Sequence, residues 1–316
     1  MPPRSPLPPR HGLGPAWVRT LDKDRPAPWA TFGAWLRDRL PERVDVAGML
    51  AAGEFVHEDG TPVREDDPYR PHAFVWFHRP LRDEPPVPGT IDVLHRDERL
   101  VVVDKPPFLS TIPRGRHVAQ SVVVRLREEL GLPELSPAHR LDRVTSGVLV
   151  LVTHRRWRGA YQELFAHRAV EKTYLALAPW RGDLDLPLVV RDHLVKDRGQ
   201  WQVRVVPGAE PNAETRVELD HRVGERAVYR LTPRTGRTHQ LRAHLAGLGV
   251  PIDGDPLYPR VLDVAVDDFS TPLQLLAHRL RFTDPVDGTA RDLVSRRTLP
   301  LPAPGHPGSD PVPAVR

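Results

Sequence analysis

"PAHRLDRVTSGVLVLV", residues 137–152, begins as a polar turn and ends as an apolar run of strand length. Val148 to Val152 is short, β-branched and free of polar residues, which is the pattern of a strand buried on both faces. Asp142 stands between Arg140 and Arg143 on the turn that feeds this strand. An acid in such a turn is ordinarily a turn or cap residue. An arginine brought to it from elsewhere would change that reading, because the guanidinium fork pairs with a carboxylate at two points and holds it in place for chemistry.

Working outward, Leu100–Val103 is a second apolar strand, stopped by Lys105-Pro106-Pro107. "QSVVVRLREEL", residues 120–130, predicts a helix ended by Gly131, and Trp157, Tyr161, Leu164 and Phe165 recur at helical spacing. "EKTYLALA", "WQVRVV", "ETRVELD" and "AVYRLTP" read as four short strands. A helix is expected from Arg237 to Leu248, and a late strand in "LQLLAHRLRF". Consecutive strands joined by short turns, with few β-α-β crossings, predict an α+β domain on a mixed, largely antiparallel sheet.

Before this region lies a smaller unit. "TFGAWLRDRL" and "AGMLAAG" predict two short helices, and "EFVHEDGTPV" a hairpin about Asp59-Gly60, followed by the alternating "HAFVWFH". Both chain ends are proline-rich and lack apolar periodicity. The expected organisation is a disordered tail over 1–25, a helix-hairpin unit over 26–82, the main domain over 83–298 and a second disordered tail over 299–316.

The 316 residues carry a formal net charge of +4, and their cations are almost all arginine; Lys23, Lys105, Lys172 and Lys196 are the lysines. Arginine suits RNA, but the excess of Arg, Ala and Pro also fits a GC-rich codon bias, so composition alone does not establish an RNA partner. With no cysteine, disulfides, thiolate catalysis and cysteine metal sites are excluded. Walker, dinucleotide, HExxH and calcium-loop motifs are all missing. No apolar run reaches the length of a membrane span and no secretion signal is evident, so a cytoplasmic protein without a membrane is expected.

Two further side chains raise chemical questions. Counting a helix from Arg237 places Leu241, His244, Leu245 and Leu248 on its stripe, so that arginine heads the core-facing side; it either pairs with an acid there or snorkels from the helix end to water. Tyr174, on one face with Lys172, Ala176 and Ala178, is a large ring among small neighbours. It reads either as a stacking platform for a flat ligand or as an ordinary core aromatic.

In this order, "LVVVDKPPFLS", "HRLDRVTSGVLVL", "EKTYLAL", "PRTGRTHQLRAHLAGLGVPIDGDPLY" and "LLAHRLRF" resemble the RluA family of pseudouridine synthases over roughly residues 91–283. The resemblance implies a pseudouridine synthase fold, with an RNA cleft across a mixed sheet and with no cofactor or metal. It implies that a uridine in RNA is isomerised to pseudouridine, the N1–C1′ bond being exchanged for C5–C1′. Asp142 takes the place of the family's catalytic aspartate, Tyr174 of its tyrosine and Arg237 of the basic residue paired with the aspartate. Arg140 corresponds to the arginine that enters the RNA stack when the base leaves it; His139 and Arg143, beside it, are further RNA-contact candidates. The small unit faintly resembles an RNA-binding domain, though Arg37, Arg39 and Arg43 are offset by Asp38, Glu42 and Asp45. Ribosomal RNA is the expected substrate, transfer RNA the alternative, and a monomer the expected state. The competing classes are a non-catalytic RNA-binding protein and a base-releasing hydrolase.

Overall fold

The structure is a computed structural model that describes residues 3–21, 27–115 and 117–301. Two compact units divide between Glu84 and Pro85. In the first, β1 (Ala16–Arg19) pairs antiparallel with β2 (Phe74–Phe77), with α1 (Phe32–Arg39) and α2 (Val46–Ala51) between them in sequence. Thr31 and Asp45 cap the two helices by accepting from Ala34 N and Gly48 N. Phe32, Trp35, Leu36, Met49 and Phe55 form their shared core. The hairpin of residues 55–63 closes as the Asp59-Gly60 signal predicts, with His57 N donating to Thr61 O and Val63 N to Phe55 O.

The expected tail over 1–25 needs correction, because Ala16–Arg19 is a strand whose Ala16 is buried in this core. Four residues are too few to register as a period among prolines, and the strand exists only through its partner 58 residues away. At the other end, Leu301 is buried and tied to Gln274 by two hydrogen bonds, so the chain remains packed up to that point. The rest of the expected tail, 302–316, lies outside the described residues.

The second unit runs β3 (Asp92–Arg96), β4 (Leu100–Lys105), α3 (Val122–Glu129), β5 (Ser136–Pro137), β6 (Ser146–Val152), α4 (Arg158–Ala166), β7 (Glu171–Pro179), β8 (Leu188–Asp192), β9 (Leu194–Val195), β10 (Arg204–Val205), β11 (Ala213–Val223), β12 (Arg226–Pro233), α5 (Gln240–Gly247), β13 (Leu275–Thr283) and β14 (Ala290–Val294). Its main sheet is ordered β3-β4-β6-β13-β7-β12-β11-β8, with β14 on β13 and β5 on β6. Every pairing is antiparallel except β6 with β13. This is the expected mixed, largely antiparallel α+β architecture.

Strands β4 and β6 are buried along their whole length because both faces of the sheet are covered. Val101, Val103, Leu149 and Leu151 meet α3 and α5 through Leu126, Leu241 and Leu245. Leu100, Val102, Val148 and Val150 point the other way, toward Tyr161 of α4. Each such side chain contributes about 1.5–3 kcal/mol relative to exposure. The parallel seam is only two residue pairs long, Leu276–Ser146 and Ala277–Gly147. At Gly147, φ is +109°, and a Cβ would collide with the Ala277 backbone. Only glycine fits there.

Candidate active site

Asp142 reaches its position through the turn leading into β6. Thr145 N donates to Asp142 O at 3.1 Å, closing the turn. Thr111 Oγ1 donates to Leu141 O at 2.9 Å and accepts from Leu141 N at 3.2 Å. Beneath it lies Lys105, fully buried, whose Nζ donates to the carbonyls of Pro106, Leu109 and Arg143 at 2.9, 2.8 and 3.1 Å. Burial pushes the Lys105 pKa well down, against the opposing pull of Asp142. Leu141, Asp142 and Arg143 are thus fixed on both sides by contacts to the β4 end and the loop after it.

The cation facing Asp142 is Arg242, whose Nη1 lies 3.5 Å from Asp142 Oδ2. Its other edge grips buried Asp255 with two hydrogen bonds, Nε to Oδ2 at 2.8 Å and Nη2 to Oδ1 at 2.6 Å. Asp255 Oδ1 also accepts from the backbone N–H groups of Leu257 and Tyr258. Burial works against the Arg242 charge, but the hydrogen bonds and charge of Asp255, then the charge of Asp142, outweigh it and raise its pKa. The Tyr258 ring lies 5.3 Å from the guanidinium carbon. One arginine therefore holds a structural carboxylate with one edge and presents the other to the cleft.

Arg237, the partner expected from sequence, is exposed, and its Nε donates instead to Asn212 O at 3.2 Å. The helix starts three residues later than expected, at Gln240, with His239 at its N-cap in the left-handed region, φ 53°. Arg237 is thus in the preceding turn, where Gln240 Oε1 accepts from its backbone N–H. Once the start shifts, Gln240 to Leu245 are all buried. A stripe argument cannot select Arg242 from a helix end enclosed on every side.

The cleft holds about 130 Å³ of space open to water and is lined by Arg140, Asp142, Lys172, Tyr174, Arg237, His239 and Arg242 among others. The register Gly147–Ala277–Tyr174 across β6, β13 and β7 sets the tyrosine two strands from the acid-bearing turn. Burial, then the nearby Asp142 charge, pushes the Tyr174 pKa up, so its hydroxyl keeps its proton at neutral pH. Lys172, on the same face, donates to Thr235 O at 3.2 Å; burial, then Arg168, lowers its pKa. His239 Nδ1 lies 3.2 Å from Tyr258 Oη, and Nε2 faces Asp142 Oδ2 at 3.9 Å. Arg140 is exposed at the rim and makes no hydrogen bond or ion pair among the described residues.

His139 and Arg143 are not part of the cleft lining, contrary to expectation. His139 Nε2 accepts from Val150 N at 3.1 Å and its ring stacks on Phe165, 4.4 Å between centroids. Burial pushes its pKa down to about 3, so it stays neutral. Arg143 turns away from Asp142 and lies over the Phe108 ring at 5.8 Å. Arg143 occupies a central position of the turn closed by Thr145 N and Asp142 O, and its guanidinium lies over Phe108 despite its adjacency to Asp142. Asp255, Tyr258, Lys105 and Thr111 carried no sequence signal strong enough to place them at the site.

Residues 99–247 match the family model described as RNA pseudouridylate synthase. The chain is 37% identical over 215 residues to human pseudouridylate synthase RPUSD2, covering 68% of this chain but only 38% of that longer protein. It is 32% identical over 220 residues to the dual-specificity RNA pseudouridine synthase RluA of Haemophilus influenzae, covering 65% of this chain and 92% of that one. Among solved structures, human RNA pseudouridylate synthase domain containing 4 aligns with TM-score 0.51 at 29% identity, over 66% of this chain and 89% of the other. Fold and family model together define an RNA pseudouridine synthase, an isomerase of uridine within RNA. Within that class the chain belongs to the RluA family. No helix among the described residues is long and apolar enough to cross a membrane.

Proposed function

We propose that this enzyme isomerises a uridine of ribosomal RNA in the cytoplasm, acting as a monomer, with Asp142 as its catalytic group. The observation that carries the reading is the Asp142 carboxylate facing Arg242 Nη1 at 3.5 Å in a cleft walled by Tyr174. A uridine in structured RNA must leave its stack to reach such a depth. Arg140, a planar cation at the rim with no hydrogen-bond or ion-pair partner among the described residues, supports a role in filling the space the base vacates. Tyr174 offers the ring on which the flipped uracil lies. Asp142 then acts at the sugar, by attack on C1′ or by removal of a proton beside it. The N1–C1′ bond breaks with its electron pair left on the uracil, which turns. C5 then bonds to C1′ as the Asp142–C1′ bond breaks or as the proton taken by Asp142 is returned to the sugar. The C5 proton is lost to a base in the cleft while N1 gains one. Arg242 keeps the carboxylate aimed without moving during the reaction.

Transfer RNA is the second reading, favoured by the dual specificity in the name of the Haemophilus relative. Asp142→Asn is expected to fold, bind RNA and form no pseudouridine, with product read as an isomer of unchanged mass. Wild-type turnover by that variant would refute the assignment, and release of free uracil by the wild type would make the enzyme a hydrolase. Pseudouridine mapping of total RNA with and without the gene then names the nucleotide.

A further inference from the structure

Among the large apolar side chains of the described residues, Trp201 is the most exposed, at 71%. It sits at the turn between β9 and β10, which pair with each other and with no other strand. Its ring makes no aromatic or cation contact within the described residues. An indole in water on a projecting hairpin loses what its burial would contribute, so its placement points to a partner outside the chain.

Two observations identify that partner. The hairpin is anchored to the cleft wall: Val203 N donates to Tyr258 Oη at 2.7 Å, and the Gln202 side chain donates to Leu257 O and to Pro259 O. Tyr258 in turn touches His239, 3.9 Å from Asp142, and the positive charge of Lys196 is felt at His239. The hairpin is also basic: residues 194–206 carry Lys196, Arg198 and Arg204 against the single acid Asp197, which pairs with Arg204 at 3.3 Å. A bare aromatic ring among cations beside an RNA cleft has the chemistry of a base-stacking platform rather than of a protein contact.

We infer that Trp201 stacks on an unpaired nucleobase next to the target uridine, while Lys196 and Arg198 meet the adjoining phosphates. This rests on the proposed RNA cleft. The hairpin then sets which neighbouring nucleotides must be splayed out of a helix for the uridine to be accepted, making Trp201 a determinant of RNA context. Stacking tolerates any base, so the requirement falls on local RNA shape more than on sequence.

The test is affinity for unmodified ribosomal RNA transcripts, measured in an Asp142→Asn background so that bound RNA is not turned over. Trp201→Ala and Trp201→Leu are expected to weaken binding roughly tenfold, the scale of one lost stack, and Trp201→Phe to restore most of it. Melting temperatures should match the parent closely, since most of the side chain is exposed. Equal affinity of the alanine variant and its parent overturns the proposal. So does a leucine variant that binds as well as phenylalanine, because that makes the contact merely apolar. Absence of pseudouridine formation by the wild type on the same transcripts instead overturns the proposed function, while the binding comparison still decides the role of Trp201.

Discussion

Arg242→Met removes one guanidinium and disturbs two carboxylates of different kinds. Asp255 is completely enclosed, and without its two-point partner it retains only the two backbone N–H groups of Leu257 and Tyr258. Breaking a buried pair from one side costs about 3–5 kcal/mol, because the charge left behind cannot be solvated. At roughly 2–4 °C per kcal/mol for a unit of this size, the melting temperature should fall by about 10 °C. Arg237→Ala loses one exposed hydrogen bond and should cost less than about 1 kcal/mol. Arg242→Met/Asp255→Asn removes the stranded charge and should recover a large part of the stability. It should not recover activity, since no guanidinium then faces Asp142 Oδ2 and only His239 Nε2, 3.9 Å away, remains. Thermal unfolding and single-turnover pseudouridine formation on the same three variants check this. Equal destabilisation by Arg237→Ala and Arg242→Met would refute the reasoning, as would activity returning with stability in the double variant.

Gly147→Ala places a Cβ against the Ala277 carbonyl at a φ that alanine avoids, and should cost on the order of 3 kcal/mol or more; a denaturation midpoint equal to wild type would contradict the close approach. His139 is neutral when folded, with its pKa pushed down to about 3, whereas the unfolded side chain titrates near 6.5. The unfolded state therefore binds the extra proton between these values, and stability present above pH 6.5 is lost as pH falls toward 3. By pH 4.5 the loss is about 2–3 kcal/mol. His139→Gln, which keeps an acceptor for Val150 N, should flatten that slope in urea titrations at successive pH values. Parallel slopes for variant and wild type would assign the acid sensitivity elsewhere.

The sheet and its strands were legible because β4 and β6 are uninterrupted apolar runs, and because the alternation in β7 separates Tyr174 from Leu175. Asp142 was legible through the "HRLDRVTSG" block that resembles the RluA family, because an acid in such a turn, taken alone, is ordinarily a turn or cap residue. Its partner was not legible. Helix phase is only as good as the helix start, and the Thr238-His239 turn before Gln240 has no proline or glycine to mark it. β1 was hidden by its proline-rich surroundings, and β8, "LVVRD", by its shortness, three apolar residues followed by two charged ones. Pairing across sequence, as between Arg242 and Asp255, is set by tertiary geometry, which local patterns do not encode.

The parallel seam between β6 and β13 divides the main sheet into two antiparallel blocks joined by two residue pairs. The acid is carried by the block on one side, and the tyrosine by the block on the other. What holds the two walls of the cleft in register is therefore less the ladder of backbone hydrogen bonds than the apolar core that crosses the seam, where Leu149 and Leu151 of one block share a cluster with Ala176, Leu231 and Leu275 of the other.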